Sequence, residues 1–225
     1  LEVDSILICM LDKNKPFIQL REFMGDVVFE SIGYSMLGNF QVLGFDLETT
    51  GFAANKHRIV QYAFVGSDKE GNHVNVESLI NPNMKIPIET TDIHGISDID
   101  VKNIPQFSEH IEQINNLVKG SIIVGHNIHS FDWPFLEMEY LRCGSELPKP
   151  YAIIDTLVLA RKFKIDYFGS KKLGSLCQKF GITLERAHSA DADAGATLLL
   201  LWEIMKSYPD KFQVWWDGMD KSLPN

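Results

Sequence analysis

The order of strand-like and helix-like segments constrains the fold of this chain more than any other feature of its sequence. Three strand-like segments come first, at residues 41–47, 58–66 and 73–79. The segments that follow alternate, with helices predicted at 106–119, 130–142, 155–163, 172–180 and 189–206 and strands at 121–125 and 151–154. Antiparallel strands followed by strand–helix alternation predict an α/β fold, in which helices cover a five-stranded sheet of mixed direction.

Two regions fall outside this pattern. Residues 81–105 contain Pro82, Pro87 and Pro105 and are predicted to be rich in loops. Residues 1–40 form short apolar runs separated by glycines, and we interpret them as an N-terminal extension of unknown role, with a small β element as one reading. The main domain is then expected over residues 41–225. The first residue is not Met, which indicates an excised fragment or a processed chain.

Composition restricts the class of protein. The chain of 225 residues is 45% hydrophobic and has no apolar run near the roughly 18 residues of a membrane span. Three scattered cysteines without a Cys-x-x-Cys pair favour a reducing compartment, and hence a cytoplasmic location. A net charge of −9 disfavours a protein that coats nucleic acid, but it permits an enzyme that binds only a strand end with the help of divalent ions.

The first candidate site is the pair of acids that ends the first strand. Asp46 and Glu48 alternate with Leu47, so the two acids lie on the same face of the strand. Two adjacent carboxylates repel each other unless a cation lies between them, and their hard oxygen atoms suit Mg²⁺ or Mn²⁺. A strand end that enters solvent would look the same, so this motif alone leaves both readings open.

The second candidate is Asp132, which follows the apolar strand at residues 121–125. With Ser130 as the predicted N-cap, Asp132 falls in the first turn of a helix, where a carboxylate can simply complement the helix dipole. It is also a candidate metal ligand, because the fourth strand should lie beside the first and bring Asp132 towards Asp46.

The third candidate is the acidic start of the helix predicted at residues 189–206. Asp191 and Asp193 lie about 200° apart around a helix, so both cannot face one small site. We interpret Asp191 as complementing the helix dipole and Asp193 as the ligand that points inward. Ser189 can cap this helix, which places His188 in the preceding loop.

Together these motifs resemble the DEDDh group of DnaQ-like 3′–5′ exonucleases, which have an RNase H-like fold. The group includes the proofreading subunit of bacterial polymerase III, RNase T and oligoribonuclease. The first motif, Asp-x-Glu-Thr-Thr-Gly, begins at Asp46, and the second combines His126-Asn127 with Phe131-Asp132. The third places His188 five residues before Asp193. The resemblance extends from residue 41 to about residue 207 and includes the loop motif at residues 93–96.

The resemblance implies a metal-dependent hydrolysis of the 3′ end of single-stranded DNA or RNA that releases nucleoside monophosphates. Asp46, Glu48, Asp132 and Asp193 would hold two ions, Mg²⁺ or Mn²⁺. His188 would be the general base. The related group that uses Tyr places it four residues before the last Asp, where this chain has Ser189.

The resemblance also implies substrate contacts and partners. By resemblance, the expected substrate-binding residues are Thr49, Thr50, Phe52, His94 and Asn127. Lys171 and Lys172 are added because they belong to a cluster of basic residues between the second and third motifs. For His94 and Asn127, purely structural roles in their loops remain open, and Asp155 is expected only to cap the next helix. The lysines belong to a basic segment in which Tyr167 and Phe168 could stack on a base.

The partners implied are nucleic acid and, in one reading, a polymerase or another replication or repair protein. Two alternatives to a free-standing nuclease remain: a proofreading domain of a larger protein, and a module of the same fold that binds nucleic acid without cleaving it. No contact with a membrane is expected.

Overall fold

A five-stranded mixed sheet forms the centre of the domain. The computed structural model describes residues 37, 40–184, 189–219 and 221. The strands are β1 (Val42–Thr49), β2 (Ile59–Ser67), β3 (His73–Leu79), β4 (Ile122–Gly125) and β5 (Ala152–Asp155), in the order β3-β2-β1-β4-β5. β2 pairs antiparallel with both β1 and β3, whereas β4 and β5 run parallel to β1. The sequence prediction of a mixed α/β sheet is therefore confirmed.

Helices cover both faces of this sheet. They are α1 (Ile88–His94), α2 (Asp98–Val101), α3 (Ile111–Val118), α4 (Asp132–Arg142), α5 (Thr156–Phe163), α6 (Leu173–Lys179), α7 (Ala190–Ser207) and α8 (Pro209–Asp217), with a 3-10 turn at Phe107–Glu109. Side chains alternate along β1, so Leu43, Phe45 and Leu47 pack with α3 and α4 while Val42 packs with α5 to α8. None of the helices that the structure describes is long and apolar enough to cross a membrane.

Helix α7 lies unusually close to β1. A Cβ atom on Gly44 would lie 2.1 Å from the carbonyl oxygen of Ala194, so only glycine fits at this crossing. Gly44 shares its face of β1 with Asp46 and Glu48 because the strand alternates. The close crossing therefore brings the first turn of α7 next to both acids.

Three local predictions were wrong. Residues 81–105 contain α1 and α2, because Pro87 is the N-cap of α1 and leaves the helix interior undisturbed. For the same reason His94, which was placed in a loop, is the last residue of α1. Ser130 does not cap α4, which begins at Asp132 with Phe131 as its N-cap residue.

The start of α4 is shifted by a turn that Asn127 initiates. Asn127 has a φ of 66°, and its carbonyl oxygen accepts hydrogen bonds from the amides of Ser130 and Phe131. This turn uses up the residues that would otherwise have formed the first helical turn. Asp132 still lies in the first turn of α4, as predicted.

Candidate active site

Three carboxylates meet at the end of β1. Single carboxylate oxygens of Asp46, Glu48 and Asp193 all lie within 4.8 Å of one another. The first two come from alternate positions of β1, and the third comes from the first turn of α7. The spacing along the strand and the close crossing at Gly44 together account for this arrangement.

Asp132 is buried beside this group. Its side chain is only 3% exposed, and a hydrogen bond from the backbone of Leu47 ties it to β1. Its charge is one of the causes that raise the pKa of both Asp46 and Glu48. The structure therefore brings together all four acids that the sequence motifs single out.

The surroundings of Asp46, Glu48 and Asp132 disfavour the ionised form of each carboxyl group. Burial raises the pKa of Asp46 well above its ordinary value, and the charges of Asp132, Asp193 and Glu48 raise it further. Burial, then Asp193 and Asp132, raise the pKa of Glu48 to about 8. Burial raises the pKa of Asp132 to about 8 as well, although hydrogen bonds from the backbone partly oppose this.

This donor set fits a hard divalent cation. Carboxylate oxygens from two elements converge within reach of one ion, and their mutual repulsion is relieved when a positive charge lies between them. Oxygen ligands of this kind suit Mg²⁺ or Mn²⁺ better than softer metals. The site is thus an acidic cluster suited to divalent metal ions.

Asp191 and Asp193 lie in different surroundings. Asp191 is buried and accepts a hydrogen bond from the hydroxyl of Ser189, whereas Asp193 faces the acids of β1. Ser189 occupies the N-cap position of α7, but its hydroxyl makes this bond instead of capping the backbone. His188, the predicted general base, lies in 185–188, outside the described residues.

Asp155 braces the loop that leads to Asp132. Its side chain caps α5 as predicted, accepting from the amides of Leu157 and Val158. It also accepts from the amide of Asn127 at 3.0 Å and from that of His129 at 3.4 Å. Sequence reasoning missed this second role, because nothing local to Asp155 indicates that the loop after β4 passes beside it.

His126 connects the same loop to the segment before α6. Its Nδ1 atom lies 2.9 Å from the hydroxyl oxygen of Thr156, and its Nε2 atom lies 3.0 Å from the carbonyl oxygen of Lys171. Burial lowers the pKa of His126, so the neutral ring is favoured. The side chain of Lys171 lies 4.0 Å from a carboxylate oxygen of Asp166, and Lys172 is exposed.

Hydrogen bonds among its own residues and the adjoining strand ends stabilise the loop between β1 and β2. The hydroxyl of Thr49 donates to the carbonyl of Gly51 at 2.8 Å. Thr50 is fully buried, its amide donates to the carbonyl of Arg58, and its hydroxyl accepts from the amide of Arg58. Phe52, by contrast, is 81% exposed, and its ring centroid lies 6.5 Å from that of Phe131. The two rings therefore lie near each other, one in the loop after β1 and the other directly before Asp132.

An ion network that sequence reasoning missed ties this loop to α4. Arg58 forms two hydrogen bonds, of 2.6 and 2.8 Å, with the buried carboxylate of Glu139. Arg142 donates to Glu139 as well and to the carbonyls of His57 and Ala54 at 3.0 and 2.7 Å. The carboxylate and two arginines thus hold the loop against the helix that begins with Asp132.

His94 lies beside the end of β1. Its Nδ1 atom accepts a hydrogen bond from the amide of Ile96 at 3.0 Å. Burial lowers the pKa of its ring, and the backbone of Thr49 opposes that shift. The end of α1 therefore lies against the end of β1.

Comparison with known proteins identifies relatives of this chain. A sequence profile of the exonuclease family RNase T matches residues 43–201. The epsilon subunit of DNA polymerase III from Treponema pallidum is 33% identical over 151 residues, 67% of this chain and 69% of that protein. DNA polymerase III of the PolC type from Streptococcus pneumoniae is 34% identical over 171 residues, 76% of this chain but only 11% of that protein.

Solved structures share the fold. Escherichia coli exonuclease I in complex with a dT13 oligonucleotide superposes with a TM-score of 0.66 at 20% identity, over 77% of this chain and 42% of that one. Exonuclease X in complex with duplex DNA that has a 5′ overhang superposes with a TM-score of 0.56 at 24% identity, over 75% of this chain and 93% of that one. The sequence relatives and the shared fold agree: the chain belongs to the RNase T family of exonucleases, as a DnaQ-like 3′–5′ exonuclease domain with an RNase H-like fold.

Proposed function

We propose that this domain hydrolyses the last phosphodiester bond at the 3′ end of single-stranded DNA or RNA and releases a nucleoside monophosphate. The observation that carries the proposal is the convergence of Asp46, Glu48 and Asp193, with Asp132 buried beside them. The exonuclease I structure with bound dT13 supports a single-stranded substrate.

The four acids would hold two divalent ions, Mg²⁺ or Mn²⁺. Ions bound there would stabilise the charge that develops on the attacking and leaving oxygens of an in-line displacement. The protein contributes the positions of the carboxylates, which β1, α4 and α7 fix before substrate binds. Burial of Asp132 also keeps bulk water away from one side of the cluster.

The remaining contacts with the substrate are assigned to residues around the acidic cluster. Phe52, which is exposed, would contact the terminal base, with the half-buried ring of Phe131 beside it. Thr49 and Thr50 would act by shaping the loop that presents Phe52. His94 and Asn127 would contact the terminal nucleotide, and Lys171 and Lys172 would face the phosphate backbone.

His188 is proposed as the general base that takes a proton from the attacking water. If so, His188→Ala should lower kcat by roughly 10²–10⁴-fold with a much smaller effect on KM, because the substrate would still bind. The wild-type rate should rise with pH through the histidine range, and the variant should lose that rise. A variant with the wild-type pH profile would exclude His188 as the base.

The domain is also proposed to work as the proofreading part of a larger replication or repair protein. The chain spans only 11% of the PolC-type relative it matches, and another relative is a polymerase subunit.

Residues 1–40 remain a proposed extension. Near its end, Leu37 is buried in the core and the ring of Phe40 stacks on that of Tyr151 at 4.0 Å between centroids.

The decisive experiment compares single-stranded oligonucleotides labelled at either end, in Mg²⁺ and in EDTA. A 5′ label should yield a ladder that shortens with time, a 3′ label should release mononucleotide at once, and EDTA should abolish both. Asp46→Asn and Asp193→Asn should lower the rate at least 10²-fold, whereas the matched control Asp191→Asn should retain most activity. Binding without cleavage by the wild-type protein would favour the non-cleaving module instead.

A further inference from the structure

The turn between α5 and α6 presents an aromatic ring to solvent. Phe168 is 93% exposed, and its φ of 48° lies in the left-handed region that residues other than glycine seldom adopt. Its ring meets that of Tyr167 edge-on, with centroids 4.5 Å apart. A strained backbone that presents a large apolar side chain to water gains little for the fold, and such positions are frequent at ligand sites.

The turn that carries Phe168 is held rigidly. Tyr167 and Ser170 exchange two backbone hydrogen bonds of 2.9 Å, and the carboxylate of Asp166 accepts from the amide of Gly169 at 3.0 Å. The hydroxyls of Ser170 and Ser175 lie 2.8 Å apart, which joins the turn to α6. The backbone that carries Phe168 is therefore held in one conformation, which lowers the entropy lost when a ligand binds to the turn.

The turn is also fixed to the edge of the sheet where the acids lie. The imidazole of His126 lies 3.0 Å from the carbonyl oxygen of Lys171, and His126 directly follows β4. Since β4 runs parallel to β1, the carboxyl ends of both strands meet at one edge of the sheet. A nucleic-acid strand whose 3′ end lies at Asp46 can therefore also contact the turn that carries Phe168.

The charge around the turn differs from that of the chain as a whole. The net charge of the protein is −9, yet this segment carries one acid, Asp166, which lies 4.0 Å from the ammonium of Lys171. The basic residues of the segment are Arg161, Lys162, Lys164, Lys171 and Lys172. An exposed aromatic ring among cations matches a polyanion with flat, unpaired bases, which is single-stranded nucleic acid.

We propose that Phe168 is a second nucleotide-binding site, which stacks on a base several nucleotides upstream of the 3′ end. The identity of the ligand rests on the proposed function, whereas the site itself is separate from the acidic cluster. Lys164 and Lys172 flank the stacked base and attract the phosphates on either side of it. A paired base cannot stack on the ring, so this site favours unpaired strands over duplexes.

The first test measures binding of a fluorescent dT20 strand to the full chain in EDTA, where no hydrolysis can occur. Phe168→Ala should weaken binding by roughly 5- to 100-fold, the range for loss of one stacked base, and Phe168→Trp should retain it. Val214→Ala is the matched control, since Val214 is 74% exposed on α8 and far along the chain from the turn. Equal affinities of the wild type and Phe168→Ala would overturn the proposal.

The second test locates the stacked base with strands that carry one abasic nucleotide at successive positions. At one position the abasic strand should bind the wild type as weakly as Phe168→Ala binds the intact strand, and combining the two changes should add little more. Losses that add at every position would contradict stacking. Because binding is measured without cleavage, an inactive wild-type protein would refute the exonuclease proposal and leave this result standing.

Discussion

Asp46 and Glu48 occupy positions that oppose the stability of the fold. Both face α7, where apolar side chains would pack better, and burial and neighbouring acids raise the pKa of each. Without a cation, the protein retains these carboxylates at a cost in folding free energy once they ionise. This loss of folding free energy indicates that the two acids are present to bind a ligand and do not stabilise the fold.

We therefore expect the metal-free protein to lose stability as pH rises. The folded-state pKa of Glu48 lies at about 8 against an ordinary 4.5, and that of Asp132 at about 8 against 3.8. The folded state holds protons that the unfolded state has released, so stability falls between about pH 4 and pH 8. Urea unfolding in EDTA at pH 5, 7 and 8.5 measures this fall.

A variant of Glu48 tests whether this carboxyl group causes the fall in stability with pH. Glu48→Gln should flatten the fall and be more stable than the wild type at pH 8.5, while the exposed control Glu146→Gln should follow the wild type. Stability that increases from pH 5 to pH 8.5 in EDTA would contradict the arrangement of charges described here.

The loop between β1 and β2 depends on contacts with a distant helix. Arg142 donates to the carbonyls of His57 and Ala54, and through Glu139 it is linked to Arg58. These bonds hold Phe52 opposite Phe131. The loop is thus positioned by α4, the same helix that presents Asp132.

Removing Arg142 should loosen that loop and leave the acids in place. We expect Arg142→Ala to lower kcat/KM on oligonucleotides about tenfold, mainly through KM, because the hydrogen bonds lost are worth roughly 0.5–1.5 kcal/mol each. Mn²⁺ affinity, measured by calorimetry, should stay at the wild-type value. In a Phe52→Ala background the same substitution should have little further effect.

The control for this variant is Lys206→Ala, which removes a surface ion pair with Glu203 on α7. It should leave kcat/KM unchanged. A fall in Mn²⁺ affinity in Arg142→Ala would mean that the network supports the acidic cluster directly.

The sequence predicts those elements whose signals are local. Short apolar runs bounded by turn signals identify β1 to β5, and the spacing of Asp191 and Asp193 separates the acid that faces Ser189 from the one that faces β1. Short α1 was missed because a helix of seven residues is too short to show a clear helical pattern. Glu139 resembles an ordinary surface acid, since its partner Arg58 lies 81 residues away.

Packing of α7 on β1 determines whether the acids meet at all. The crossing has no room for a Cβ atom at Gly44, so the distance between β1 and Asp193 depends on a missing side chain. A larger residue at position 44 would push the backbone of α7 away from that of β1. A change of side-chain rotamer cannot relieve this clash, because the contacting atom belongs to the backbone.

Gly44→Ala should therefore destabilise the protein by roughly 1–3 kcal/mol or more and weaken Mn²⁺ binding as Asp193 moves away. Gly195→Ala is a close control, because its Cβ would meet Val65 at an ordinary 3.8 Å and alanine favours the helix by about 1 kcal/mol. Urea unfolding and calorimetric titration with Mn²⁺ distinguish the two. Equal metal affinity in Gly44→Ala and the wild type would show that α7 can shift without moving Asp193.

The three converging acids come from the two ends of the domain, from β1 and from α7. While a ribosome is still making the chain, Asp46 and Glu48 leave the exit tunnel long before Asp193 is even translated. With its acids divided in this way, the nascent chain cannot assemble the cation site until nearly the whole domain has been synthesised.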